Sequence, residues 1–327
     1  MDKRSRFVSI GLIIAIAIAL YVTIFLPKND EKENNASMIS LASHDILANH
    51  AFFYYEDLDK AVAFYSDVLG LEKVLDYGFA KIFQISQTSY IGLVKGGMHK
   101  TDEPKTVTLS FVTQEIDAWH DYLTKQNVPI RNPLGDATRH PTRGFVALDP
   151  EGYFLEFETF LDHPQNVKLH AGLKSTQSLY PKKTETSGRP ADLGFQATIL
   201  WLYYRDIPAA QTFYEEVMGL HMVVDQGFAK VYQSSPTGFI GLVDESQGLH
   251  HASETKAVNV SFFTRDLDGW FQQMRQKDVP LRTPEILLES DAVRVFIAHD
   301  PEGYFLEFDD FLDREENQAI RSSFLVR

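Results

Sequence analysis

The chain has 327 residues, a formal net charge of −14 and no cysteine. Such an acidic surface repels nucleic acid, so no nucleic-acid partner is expected. Without thiols there can be no disulfide, thiolate metal centre or cysteine nucleophile, and the chain is suited to an oxidising compartment.

In chain order the first element is apolar. Lys3, Arg4 and Arg6 precede Phe7 to Leu26, a run of 20 residues without a charge. That length matches the roughly 20 apolar residues a spanning helix needs. The basic flank places the N-terminus in the cytoplasm. A cleaved signal peptide is the competing reading, but its apolar core is shorter, about 7–15 residues, and no small-x-small site follows. Residues 1–27 are therefore expected to form a single-pass membrane anchor and 28–45 a polar tether, with the folded part extracytoplasmic.

After the tether the chain repeats itself. Tyr54-Tyr55-Glu56-Asp57 aligns with Tyr203-Tyr204-Arg205-Asp206, and Gly78-Phe79-Ala80-Lys81 with Gly227-Phe228-Ala229-Lys230. The nine residues from Asp149 to Phe157 return letter for letter from Asp300 to Phe308. This gives a first domain at 46–162, a linker at 163–192, a second domain at 193–313 and a C-terminal tail at 314–327.

Within a unit, residues 50–55 read as a strand with large apolar groups on both faces. Asp57 caps a helix carrying Ala61, Phe64, Tyr65, Val68 and Leu69, which Gly70 stops. Strands follow near 73–77, 80–85 and 90–95. The order then recurs: a strand at 106–112, a helix at 116–126 with Trp119, Tyr122 and Leu123, and strands around Phe145 and Phe154. Asp149-Pro150-Glu151-Gly152 suits a type I turn feeding the last strand. There alternation puts Phe154, Glu156 and Glu158 on one face. The fold class is α+β: tandem paired β-α-β-β-β modules forming curved mixed sheets around a cup, plus the N-terminal transmembrane helix.

That module order, with Phe-Tyr-x-x-Val-Leu-Gly-Leu at residues 64–71 and Asp-Pro-Glu-Gly-Tyr before the last strand, resembles the vicinal oxygen chelate superfamily. Its members include glyoxalase I, extradiol dioxygenases and the fosfomycin and bleomycin resistance proteins. The resemblance implies a divalent metal in the cup, held by His or Glu at fixed strand positions. Carried over singly, these positions fall on His50, Gly92, Thr108 and Glu156 in the first unit, and on Ile199, Gly241, Asn259 and Glu307 in the second. One metal is thus implied in the first domain, on His50 and Glu156, with Glu156 also the catalytic carboxylate; in the second unit only Glu307 is ligand-like. A catalytic metal takes about three protein ligands, and this set supplies two. The alternative is a pocket His50 hydrogen-bonded to Glu156, each moving the other towards its charged form.

Aromatic residues suggest a small-molecule wall. Phe52 and Tyr54 share the strand face of His50, Trp201 and Tyr203 occupy the matching face of the second unit, and Phe154 and Phe305 recur. The repeated cations Lys81/Lys230 and Arg143/Arg294 read as solvated strand charges in preference to an anion site. His99, His250 and His251 read as exposed loop residues. Three functions fit: a metal-dependent lyase, isomerase or dioxygenase; a binding protein for an aromatic or amphipathic molecule; or a degenerate structural tandem. Oligomeric state is left open.

Overall fold

The computed structural model describes residues 46–97, 99–136, 141–181 and 188–324. The expected anchor and tether lie outside the described residues, and among those described no helix is long and apolar enough to cross a membrane.

Four β-α-β-β-β modules follow one another. The first comprises β1 (Ile46–Tyr55), α1 (Leu58–Ala63), β2 (Glu72–Asp76), β3 (Ala80–Ser86) and β4 (Ser89–Lys95). The second comprises β5 (Thr108–Val112), α2 (Ile116–Lys125), β6 (Ile130–Asn132), β7 (Thr142–Leu148) and β8 (Phe154–Phe160). A short helix, α3 (Val167–Leu173), leads to the third module: β9 (Ala197–Tyr204), α4 (Ile207–Thr212), β10 (His221–Asp225), β11 (Ala229–Gln233) and β12 (Gly238–Asp244). The fourth is β13 (Val258–Thr264), α5 (Leu267–Gln276), β14 (Leu287–Glu289), β15 (Val293–His299) and β16 (Phe305–Phe311), with α6 (Gln318–Ser323) after it.

Local chemistry explains the first helices. The Asp57 carboxylate accepts from Lys60 N at 3.0 Å, and Asp206 from Ala209 N at 2.9 Å, so each satisfies an otherwise unpaired amide at a helix start. Each helix runs on into one π turn, Phe64–Val68 or Phe213–Val217. Gly70 then turns the chain at φ 66°, a conformation a side chain resists.

The sheets do not follow the repeats. One eight-stranded sheet runs β14-β15-β16-β13-β1-β4-β3-β2 and the other β10-β11-β12-β9-β5-β8-β7-β6. The first module therefore pairs with the fourth, and the second with the third. The joins are antiparallel, β1 on β13 and β5 on β9. Each sheet takes one module from each repeat, as two copies of a two-module chain would in a symmetric pair.

The recurring nine-residue motif buckles the sheets together. Asp149 Oδ1 accepts from the backbone N–H groups of Glu151 and Tyr153, both at 2.9 Å, closing the turn before β8. Its Oδ2 accepts from Tyr55 Oη at 2.6 Å and Tyr65 Oη at 3.3 Å, on β1 and the turn after α1. Tyr153 Oη accepts from Tyr54 N at 2.9 Å and donates to Ala257 O at 2.8 Å. Asp300, Tyr204, Tyr214 and Tyr304 repeat the network in the other half. At the opposite ends of the strands Thr88 and Thr237 exchange hydrogen bonds: each N–H donates to the other's Oγ1, at 2.8 and 2.9 Å.

Candidate ligand-binding site

Each sheet turns one face to the helices and the other to a cup. In the first sheet Phe53 and Tyr55 join the helix-side core, leaving His50, Phe52 and Tyr54 on the cup face by alternation. Register places His50 beside Ser261, and Ser261 beside Glu307; the next row is Phe52, Asn259 and Phe305. In the second sheet the corresponding rows are Ile199, Ser110 and Glu156, then Trp201, Thr108 and Phe154.

This pairing corrects the expected metal pair. His50 lies on β1 of one sheet and Glu156 on β8 of the other, so they do not share a cup. His50 shares a row with Glu307, while the equivalent partner of Glu156 is Ile199. The expected wall residues divide likewise: Phe52, Tyr54 and Phe305 belong to the first cup, and Phe154, Trp201 and Tyr203 to the second. The sequence leaves open whether modules pair within or between repeats, and the His50–Glu156 pair requires the first arrangement, whereas the sheets show the second.

The fourth-strand ligand position is not merely empty of a donor. A Cβ built on Gly241 would fall inside the Trp201 indole, and one on Gly92 inside the Phe52 ring. In both cups an aromatic side chain from the neighbouring strand lies flat over the glycine, in the space a ligand side chain there would need.

The second cup holds a cavity of about 380 Å³, lined by Glu156, Glu158, Trp201, Tyr203, Phe228 and Val146 among others. Ser110 Oγ donates to the Glu158 carboxyl. Glu156 and Glu158 sit on one strand face two residues apart, and burial dominates their titration. Glu156 is pushed up to about 7, and Glu158 is held well above the ordinary carboxyl range by burial and by the charge of Glu156. Trp201 is 7% exposed, and its indole N–H lies near Glu156 and Glu158, where it offsets part of the upward shift of each. His250 stacks on the Phe154 ring at 4.1 Å, with burial lowering it to about 4.

The first cup repeats this chemistry with other side chains. Asn259 Nδ2 donates to Glu307 Oε2 at 2.9 Å, and Ser261 Oγ donates to Asp309. Burial raises both carboxyls, Asp309 to about 7 and Glu307 well beyond its usual range. His50 is 2% exposed and packs edge-on against Phe52 and Phe263, at 4.1 and 4.7 Å between ring centres. Neither of its ring nitrogens has a partner among the described residues, and burial lowers its pKa to about 3. The alternative of a His50–Glu156 hydrogen bond driving both towards charge does not hold either: they lie in different sheets, His50 is buried and lowered, and Glu156, half-buried at its cavity, is raised.

Several residues acquire roles the sequence did not signal. Glu158 and Asp309 complete carboxyl pairs, and strand alternation alone could have flagged Glu158 through its place beside Glu156. His99 is buried against Tyr54 and Phe305, with Nδ1 2.8 Å from Glu103 Oε2, rather than exposed in its loop. His250 is the half-buried counterpart. His251 is exposed as expected. Phe79 and Phe228 are 56% and 40% exposed, at turn tips. Lys81 and Lys230 reach Asp76 and Asp225 at 2.7 and 2.8 Å, and Arg143 and Arg294 reach Asp117 and Asp268 at 2.6 and 2.9 Å, so these cations are satisfied locally.

A divalent metal does not fit either set of residues. The first cup offers His50, Gly92 under a ring, Asn259 and Glu307; the second offers Ile199, Gly241 under a ring, Thr108 and Glu156. Among the described residues no group of three His, Asp or Glu side chains converges to hold a metal. Hard divalent cations and zinc alike need more than one or two such donors.

Comparison with known proteins agrees with the architecture. The family described as the Glyoxalase/Bleomycin resistance protein/Dioxygenase superfamily matches residues 47–157 and 196–308. Glyoxalase I from Zea mays superposes with a TM-score of 0.57 at 14% identity, over 86% of this chain and 95% of that one. A candidate dioxygenase from Bacillus subtilis superposes with a TM-score of 0.58, also at 14% identity, over 84% of this chain and 88% of that one. At such identity the likeness concerns the fold alone. No curated protein sequence matches the chain.

Proposed function

Because the chain belongs to the Glyoxalase/Bleomycin resistance protein/Dioxygenase superfamily, we propose that it uses the superfamily's cup to bind an organic small molecule without a chelated metal. The observation that carries this reading is the Trp201 ring lying over Gly241. One substitution pattern removes a metal-ligand position and puts an aromatic surface in its place. Beside it Ile199 and Thr108 replace two more donors, and the remaining carboxyl, Glu156, faces a cavity of about 380 Å³. Aromatic and aliphatic walls with few polar groups are what a drug-sized ligand requires. The apolar run at residues 7–26, read as an outward-facing anchor, would hold this pocket at the outer membrane face, where a diffusing ligand is met outside the cytoplasm.

Thermal unfolding of the full chain with a panel of aromatic small molecules tests the proposal. Ligands should raise the midpoint, and Val146→Trp, which fills the cavity, should abolish the rise. Stoichiometric zinc, nickel or iron that survives dialysis and is lost on Glu156→Gln would overturn it.

A further inference from the structure

Resting on that reading of the second cup as a ligand pocket, we propose that its occupant is an amphipathic organic cation: a protonated amine seated on Glu156 and Glu158, with its apolar body against Trp201 and Phe228. Four observations meet here. Glu156 and Glu158 both line the cavity, on the same face of β8, and the side chains named above that complete its walls carry no formal charge. Against the four oxygens of the pair, the donors among the described residues are Ser110, which bonds Glu158, and the Trp201 indole N–H, which lies near both. The pair therefore retains acceptor capacity that a three-donor ammonium can use. The Trp201 face supplies cation–π attraction, strongest for indole. Its Nε1–H lies close enough to both carboxyls to moderate their upward shifts, which holds the indole beside the seat of the amine.

The electrostatics around the dyad agree. Burial raises both carboxyls, so near neutrality Glu156, at about 7, is about half protonated and Glu158 favours its neutral form. An arriving ammonium takes the place of a proton, which leaves to solvent, so charge in the buried site stays balanced. The other titratable groups near the cup are Tyr203 on β9, Arg131 on β6 and His250 in the loop after β12. Tyr203 is neutral, held above its usual value by burial, and His250 is neutral, held below its usual value. Arg131 is exposed and lies over the Phe154 ring at 4.6 Å, beside the mouth. At long range the net charge of −14 draws cations and repels anions.

Calorimetric titration of the full chain with phenethylamine, 2-phenylethanol and 3-phenylpropionate separates the outcomes. The proposal expects the amine to bind at least about tenfold tighter than the alcohol, and the carboxylate most weakly. Glu156→Gln and Glu158→Gln should each remove the preference for the amine while leaving the alcohol within about twofold. Equal binding of amine and alcohol overturns the cation proposal and leaves a neutral pocket standing. Absence of binding by all three overturns both readings. The wild-type comparison alone decides the matter if either variant fails to fold.

Discussion

The indole of Trp201 lies across Gly241 in the second cup, as the ring of Phe52 lies across Gly92 in the first. Each pair joins adjacent parallel strands in register, Trp201 opposite Gly241 and Phe52 opposite Gly92. Glycine is required there because the neighbouring ring occupies the volume of a Cβ. Gly241→Ala should therefore expel the indole and destabilise the fold by about 1–3 kcal/mol, the usual cost of overpacking. In a Trp201→Ala background the same change should cost nearly nothing, a coupling that a double-mutant cycle by urea denaturation reads directly. Additive costs would show that the ring does not occupy that space.

The buried carboxyl pairs set the response to pH. Glu158 and Glu307 are raised well above the carboxyl range, and Glu156 and Asp309 to about 7. A carboxyl with a raised folded-state pKa binds its proton more tightly when folded. Its stabilising effect is full below the unfolded value and is lost as pH rises through the folded one. From about pH 4.5, near the unfolded value, up to about pH 7, where Glu156 and Asp309 titrate, stability should thus fall with rising pH, by up to about 1.4 kcal/mol per pH unit for each proton held, and Glu158 and Glu307 carry the fall further. Below about pH 6.5 His50 and His250 act in the opposite sense. Their lowered values, about 3 and about 4, mean that the unfolded chain gains the protons. Four raised carboxyls outweigh two histidines, so stability from these groups should be greatest at about pH 4.5 and decline from there. A flat profile from about pH 4.5 to 7 in urea titrations would contradict the raised carboxyl pairs.

Much of this architecture is legible in the sequence because its signals are local. Asp57 and Gly70 mark where the first helix starts and where the turn after it ends, and the spacing of Trp119, Tyr122 and Leu123 marks a helix face. Strand alternation correctly puts Glu156 with Phe154 and Glu158. What is not legible is which module meets which. His50 lies on the first strand of one module and Glu156 on the last strand of the next, both in one repeat, but the β1–β13 and β5–β9 joins bring together strands from different repeats. Those joins depend on long-range packing that leaves no periodic trace. The buried roles of His99 and His250 escape for the same reason: their partners, Phe305 and Phe154, are remote in sequence.

The two motif tyrosines should respond alike. Tyr153→Phe deletes the acceptor for Tyr54 N–H and the donor to Ala257 O, stranding buried backbone groups. A loss of about 1–3 kcal/mol is expected. Tyr304→Phe removes the acceptor for Tyr203 N–H and should cost a similar amount. The two networks share no hydrogen-bonded residue, so the double variant should show nearly the sum of the two effects in chemical denaturation. A single variant that unfolds the chain as fully as the double would mean that the buckles act as one unit.

His50 offers the sharpest contrast between a structural and a ligand-holding histidine. Its ring is 2% exposed, packed between Phe52 and Phe263, with neither nitrogen hydrogen-bonded among the described residues. A buried polar group in that state costs stability, and an apolar side chain of similar volume avoids the penalty. His50→Leu should leave stability unchanged or raise it by about 1 kcal/mol, with an unchanged urea m-value. It should also flatten the acid limb of the pH profile, since the chain loses the imidazole whose protonation favours the unfolded state. If His50 instead held a metal or a carboxylate, its removal would strand that partner and lower stability by several kcal/mol, about 3–5 for a broken buried pair. The sign of the change in the urea midpoint therefore separates the two roles without any assay of activity.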